Sequence, residues 1–392
     1  MQDVFSAYRH LPLDPIFFLS AEAVKDPRPN KVDLTMGIYR DDSLNSGIFK
    51  SIKEAERQLF KDESNKDYLP IAGSRDLISE TELLVFGKNK EGSAGIQTLG
   101  GTGALRVGAD LLKQVASTVY LPKPTWINHY NIFTYAGFQV REYAYYDRAT
   151  QSLSFEVLCS QLEQAAEHSV VVLHGCCHNP SGMDPTPDQW KTIAQICQRG
   201  NLIPFFDLAY LGFGDGLNED PQAIRTFAEM GLPILVAVSY SKNLGLYGER
   251  TGVLLTLPGV SYAENVKSQL QALARGSYSN PPRHGGLLAA AVLSDSQLRA
   301  LWIDELDSMR VRMQQLRKNF AHALTAAVPS QDFQYLNHCK GMFSYLNLEE
   351  KQVSRLKELD AIYLTGSGRV NISGLNPSNM DRVVEAIKKV YK

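Results

Sequence analysis

Short apolar runs of strand-type residues alternate with helical patterns through the middle of this chain. The runs are Ile96–Leu99, Thr118–Leu121, Val140–Tyr145, Val170–Leu173, Leu202–Phe206, Ile234–Val238 and Gly252–Leu257. Helical periodicity fills intervals between them at Ala104–Val115, Phe155–Ala166, Asp188–Gln198 and Pro221–Met230. Strands this apolar, separated by helices, predict a mainly parallel sheet covered on both faces, an α/β fold. In such sheets ligands sit at the carboxyl ends of the strands.

The pattern changes in the last third. Ser294–Ala327 reads as one long amphipathic helix rich in Arg and Gln. Strand-like pieces follow at Gly341–Leu346, Ala361–Leu364 and Gly368–Ile372, then a final helix, Asn379–Tyr391. This predicts a smaller α+β domain. The expected division is a large domain of residues 36–309, with residues 1–35 and 310–392 forming the small domain and an N-terminal arm.

With 392 residues, 44% of them hydrophobic, the chain can bury a large core. Its net charge of -2 gives no reason to expect nucleic-acid or anionic-membrane binding. Apolar stretches such as Leu287–Leu293 are too short to span a bilayer, and the first residues lack a secretory pattern. Five irregularly spaced cysteines argue for reduced thiols and a cytoplasmic location.

The densest candidate chemistry lies in Val238–Arg250. Lys242 stands just beyond an apolar run, with hydroxyls at Ser239 and Ser241 and Arg250 eight residues on. A lysine at the mouth of a buried strand can lose its proton and form an imine with a carbonyl. Arginine with hydroxyls suits a phosphate. Together they suggest pyridoxal phosphate.

Other segments add to this. Gly100-Gly101-Thr102-Gly103 follows a strand and opens a helix, as an anion cradle or as a plain tight turn. Trp126 and His129 read as a ring-stacking residue with a helper, or as a core Trp and a hydrogen-bonded His. In His174–Gly182, adjacent Cys176 and Cys177 can rarely address one ion and no partner pair has zinc spacing, so no metal site is expected. An Asn-Pro turn aiming Asn179 at a ligand fits that segment better. Asp207 ends an apolar run, where a carboxylate needs a partner such as a protonated pyridine nitrogen, or caps a helix. Arg275 and Arg369 complete the set, Arg369 in a Gly-flanked strand-like segment.

These segments resemble the aspartate/aromatic aminotransferase family, fold-type I enzymes dependent on pyridoxal phosphate, and within it the aspartate aminotransferases. The likeness runs from about Asp14 onward through Gly100–Arg106, His174–Pro180, Phe206–Tyr210, Ser239–Asn243, Tyr278–Pro282 and Ser367–Asn371. It implies a seven-stranded sheet with flanking helices, a smaller domain, and a homodimer with shared active sites. It implies that Lys242 binds the cofactor and shuttles the proton, and that Asp207 holds the pyridinium nitrogen with His129 behind it. Tyr210 and Asn179 would contact the ring oxygen, Trp126 the ring face, and Gly101, Thr102, Ser239, Arg250 and a partner's Tyr68 the phosphate. Arg369, helped by Gly37, would clamp the α-carboxylate, and a partner's Arg275 the distal one. The implied reaction is ping-pong transamination between aspartate and 2-oxoglutarate, with aromatic amino acids as the alternative donors.

The chain departs from the family's pattern near the entrance. Phe17-Phe18 replaces smaller residues, Thr35-Met36 precedes Gly37 where Gly and Ile are usual, and Arg283-His284 follows the Pro pair. These departures bear on the substrate, not on the reaction.

Overall fold

The computed structural model describes residues 4–11 and 13–391. Residues 1–3, Pro12 and residue 392, all within the expected small domain and arm, lie outside them. Thirteen α-helices occur in the described residues: α1 Pro15–Lys25, α2 Lys50–Asp62, α3 Arg75–Phe86, α4 Gly100–Leu112, α5 Asn128–Tyr135, α6 Phe155–Glu163, α7 Pro187–Arg199, α8 Gln222–Glu229, α9 Ala263–Ser277, α10 Arg283–Ser294, α11 Ser296–Ala327, α12 Glu350–Asp360 and α13 Met380–Val390. The strands are β1 Val32–Asp33, β2 Ala94–Leu99, β3 Thr118–Lys123, β4 Gln139–Ala144, β5 Tyr146–Asp147, β6 Ser152–Leu153, β7 Val170–His174, β8 Ile203–Leu208, β9 Ile234–Ser239, β10 Thr251–Leu257, β11 Phe343–Tyr345, β12 Ile362–Tyr363 and β13 Arg369–Asn371.

All seven predicted core strands form, in one sheet of order β2-β10-β9-β8-β7-β3-β4. β10 runs antiparallel to both neighbours and the other pairs are parallel. Their apolar runs divide by alternation. Val171, Leu173, Phe206, Leu208, Val236 and Val238 enter one core with Trp190, Phe227 and Trp302 from α7, α8 and α11. Val170, Val172, Phe205, Leu235 and Ala237 enter the other with Leu105, Phe133 and Leu270 from α4, α5 and α9. Both faces are covered, which is why these strands read as continuous apolar runs.

The predicted long helix over Ser294–Ala327 forms as α11, starting two residues later at Ser296, and a separate helix, α10, precedes it. Asp295 is extended (φ -82°, ψ 123°), and its carboxylate accepts from Gln297 N and Leu298 N, capping α11 and ending α10. The apolar run Leu287–Leu293 belongs to α10, which packs mainly against α2, α3 and α11 and buries Leu288, Val292 and Leu293 in the first of these cores.

The two chain ends meet. β1 pairs in parallel with β12, and the Arg28 guanidinium donates to the carbonyls of Lys357 and Glu358. β11 and β13 form a second antiparallel pair, and β5 and β6 make a short hairpin.

Trp302, fully buried on α11, donates its Nε1–H to the Asn243 carbonyl at 2.6 Å. It thereby ties the long helix to the residue after Lys242. Trp302→Ala is expected to lower stability by about 3–5 kcal/mol, read as a shifted urea midpoint at unchanged slope.

Candidate active site

The register of the central strands gathers polar groups at one edge. His174 on β7 pairs with Asp207 on β8, and Ser239 ends β9 opposite Gly252 of β10. β2 ends there too, so α4 begins at the same edge. Gly100 takes φ +69°, and a Cβ on it would lie 2.8 Å from Arg250 Nη2. A Cβ on Gly101 would lie 2.9 Å from that of Ser239. The two glycines therefore let a helix N-terminus, a serine and an arginine converge, with backbone N–H groups left for an anion.

These groups border one cavity of about 520 Å³. Of the residues expected to form a site, Gly37, Gly101, Thr102, Trp126, Asn179, Asp207, Tyr210, Ser239, Lys242, Arg250 and Arg369 all line it. Tyr68 and Arg275 do not. Tyr68 is 90% exposed, and Arg275, also exposed, donates to Ser279 Oγ at 2.5 Å. Their segments are joined, since Asn280 Nδ2 donates to the Leu69 carbonyl at 2.7 Å and Arg283 to that of Asp67 at 3.2 Å. Arg283 also meets Asn65 Oδ1 and Glu63, so its charge serves this surface junction.

Asp207 is a strand residue, not a helix cap. Burial alone would raise its carboxyl, but the hydrogen bond from His129 and the electrostatic influence of the His129, His174 and Lys242 side chains lower it below the ordinary value. It is therefore ionised. Burial and the neighbouring His129 push His174 down to about 3, so that ring is neutral. Neutrality fixes the direction of a hydrogen-bonded chain. Asn179 N–H donates to His174 Nδ1 (3.2 Å), leaving His174 Nε2–H to donate to Thr125 Oγ1 (3.0 Å). Thr125 then donates to His129 Nδ1 (2.8 Å), and His129 Nε2–H donates to Asp207 Oδ2 (2.9 Å). Four links connect the Asn179 turn to the carboxylate on the next strand.

Burial pushes Lys242 down to about 8; Asp207 opposes this, while Arg250 and Arg369 reinforce it. Its Nζ lies 5.2 Å above the Tyr210 ring. Burial raises the Tyr210 hydroxyl, which stays protonated. Arg369 is buried without a carboxylate. Nη2 donates to the Thr35 carbonyl (2.6 Å), Nη1 to Asn179 Oδ1 (3.2 Å), and the guanidinium lies 4.1 Å from the Phe343 ring centre. Its Nε is buried with no hydrogen-bond partner among the described residues. A donor left so is costly unless a ligand meets it.

Asp14, Ile16, Tyr247 and Phe343 also line the cavity, beyond the sequence expectations. Phe343 lies in a predicted strand, but only the β11–β13 pairing shows its ring facing Arg369. Met36 and Phe17 line the mouth as well, whereas Phe18 does not.

Cys176, Cys177 and Asp220 bring a thiol pair and a carboxylate within 4.8 Å of one another. Both Asp220 oxygens accept backbone N–H groups, from Gly212, Gly214, Asp215 and Gly216. The Cys176 thiol is raised by its contact with Cys177 and by burial, and that of Cys177 is pushed up to about 11 by burial. Each group is thus committed to the fold or held protonated.

Likeness to known proteins gives the family of the chain. The profile of the family "Aminotransferase class I and II" matches residues 29–387. The chain belongs to this family and is an aminotransferase, with the fold-type I architecture. It is 43% identical to the aspartate aminotransferase of Escherichia coli K12, over 97% of this chain and 98% of that one. It is 42% identical to the aromatic-amino-acid aminotransferase of the same organism, over 96% and 97%. The aromatic-amino-acid aminotransferase of Burkholderia pseudomallei, solved covalently bound to pyridoxal phosphate, superposes with a TM-score of 0.97 at 38% identity over the whole of both chains.

Proposed function

We propose that the cavity binds pyridoxal 5'-phosphate and that the protein moves an amino group between aspartate and 2-oxoglutarate. The observation that carries this reading is the convergence of Lys242, ionised Asp207 and the glycine-opened start of α4 on one cavity. The residues fit the group: the cradle that Cβ atoms on Gly100 and Gly101 would fill suits a phosphate, and the orphaned Arg369 Nε suits a carboxylate.

When bound, the cofactor supplies an aldehyde carbon for the substrate amine and a protonated ring that draws electrons from the breaking Cα–H bond. Lys242 provides the amine that holds the resting cofactor, then takes the Cα proton and returns it. A lysine near 8 does this at neutral pH far better than one at its ordinary value. Asp207, held by His129, sets a fixed negative charge against the ring nitrogen. Tyr210 and Asn179 donate to the ring oxygen, and Trp126 covers the ring face. Gly101, Thr102, Ser239 and Arg250 take the phosphate with the partner subunit's Tyr68. Arg369 takes the α-carboxylate in the space Gly37 leaves open, and the partner subunit's Arg275 takes the distal carboxylate.

The dimer in this reading explains why Tyr68 and Arg275 lie on one joined surface away from the cavity of their own chain. Phe5, Tyr8, Leu11 and Leu13 of the arm are exposed apolar surface that such a dimer would cover. The proposed domains are residues 36–309 and, supported by the β1–β12 pairing, residues 1–35 with 310–392. A cytoplasmic location is supported by five free cysteines.

A second reading, aromatic amino acids as donors, is favoured by the apolar wall of Ile16, Phe17, Met36 and Phe343. The two readings separate on kcat/KM for aspartate and for tyrosine with 2-oxoglutarate as acceptor. Arg275→Ala is expected to cost aspartate about 2–5 kcal/mol, at least roughly 30-fold in kcat/KM, while phenylalanine changes little. Equal losses for both would remove Arg275 from substrate binding.

A further inference from the structure

The loop between β7 and α7 carries Asn179, and what holds that loop is a carboxylate that none of the proposed roles uses. Asp184 accepts two consecutive backbone N–H groups, Cys177 N at Oδ2 (2.7 Å) and His178 N at Oδ1 (2.9 Å). Cys177 is left-handed, at φ +54°. Successive N–H groups around such a residue form a concave anion seat, or nest. Here the anion belongs to the chain itself. The left-handed turn costs a non-glycine residue roughly 1–2 kcal/mol, so something must hold it, and charge-assisted bonds to a carboxylate do so.

The neighbouring loop repeats the device. Asp220 accepts four N–H groups between Gly212 and Gly216, just after Tyr210. Cys177 Sγ lies 3.9 Å from the Tyr210 carbonyl and joins the two loops. The two residues assigned to the ring oxygen thus each stand beside a carboxylate-filled nest, Asn179 directly after His178 and Tyr210 two positions before Gly212. Asn179 has the further ties described above: its N–H starts the chain to Asp207, and its Oδ1 accepts from Arg369 Nη1.

We propose that Asp184 is a positioning residue that sets Asn179, and through it both the ring-oxygen contact and the aim of Arg369 at the substrate carboxylate. This rests on the cofactor and substrate assignment above. Asp184 touches neither ligand and acts only through the turn. An Asn at 184 cannot replace it, because an amide has one acceptor and would set its NH₂ against one of the two N–H donors.

The test uses the protein reconstituted with pyridoxal phosphate, and its readouts do not depend on turnover. Asp184→Asn is compared with wild type and with Ile193→Ala, a truncation of a buried α7 residue outside the loop that is expected to lower Tm. Two quantities are measured: the dissociation constant of succinate, a non-reacting dicarboxylate, and the pH midpoint of the cofactor's absorption band. Displacement of a positioning contact by about 1 Å can cost roughly 100-fold. Asp184→Asn is therefore expected to weaken succinate at least about tenfold and to move the midpoint, whereas Ile193→Ala moves only Tm. Unchanged succinate affinity and midpoint in Asp184→Asn, or equal changes in Ile193→Ala, overturn the proposal. Failure of the wild type to bind pyridoxal phosphate would instead overturn the assignment beneath it. Should Asp184→Asn not fold, hydrogen exchange in the wild type decides. Slow exchange at the Cys177 and His178 amides, slowed further by succinate, supports the nest, and exchange as fast as in an open loop refutes it.

Discussion

Replacing Lys242 with alanine is expected to end turnover, lowering kcat by at least about 10⁴-fold, because in the proposed reading one side chain supplies both the cofactor's anchor and the proton shuttle. The change should leave the fold intact. Lys242 makes no ion pair in the described residues, and burial of its charge form opposes its ordinary protonation. The check is a direct one: steady-state rate with aspartate and 2-oxoglutarate, beside borohydride trapping of pyridoxal phosphate on the protein. Wild type should be trapped at Lys242, increasingly as pH rises through about 8, where the amine becomes neutral. The sign follows from a lysine held below its ordinary value, so the neutral form gains on the cationic one at lower pH than in an open chain. A variant that kept near-normal rates would end the assignment of Lys242.

Arg369→Leu carries the second-largest effect. The guanidinium has spent one group on the Thr35 carbonyl and one on Asn179, and its Nε has no hydrogen-bond partner among the described residues. A substrate carboxylate entering the cavity without it would be buried and unpaired, at a cost of about 3–5 kcal/mol, or two to four powers of ten in kcat/KM. The loss should fall on every amino acid donor alike, since each carries an α-carboxylate. That uniformity separates it from Arg275→Ala, whose effect is confined to dicarboxylic donors. A loss seen with aspartate alone would reassign Arg369 to the distal carboxylate.

The sheet was legible in the sequence because its central strands are buried on both faces, so Val170–Leu173 and Ile234–Val238 carry no polar interruption to hide them. Helices outside that layer left weaker marks. α9 buries only Leu270 and Ala274, and α2 only Ser51, Ile52 and Ala55, too few positions to stand out as periodicity. α11 was legible to within two residues of its start, where Asp295 caps it, whereas α10 before it was read only as the apolar run Leu287–Leu293. The residues that touch the ligands in the proposed reading, Lys242, Asp207, Asn179 and Arg369, were legible because each stands at a strand end or within a glycine-flanked segment. Those acting behind them were not. His174 drew notice as part of a Cys/His cluster, and its link to Asp207 exists only because β7 and β8 pair in that register. Thr125 offers no sequence signal at all, and its place between two histidines is purely a matter of folding.

The reversed strand β10 has a consequence for how this protein can vary. Strands that run parallel return through a helix on the far side, and such crossovers tolerate lengthening. β9 and β10 are antiparallel, so residues 240–250 leave and re-enter the sheet at the same edge. Within that one return lie Lys242 and Arg250, the latter itself left-handed at φ +53°. In the proposed reading, most connections between the strands are free to drift in length, while this loop is held to a fixed count of residues by the distance between an amine and a phosphate.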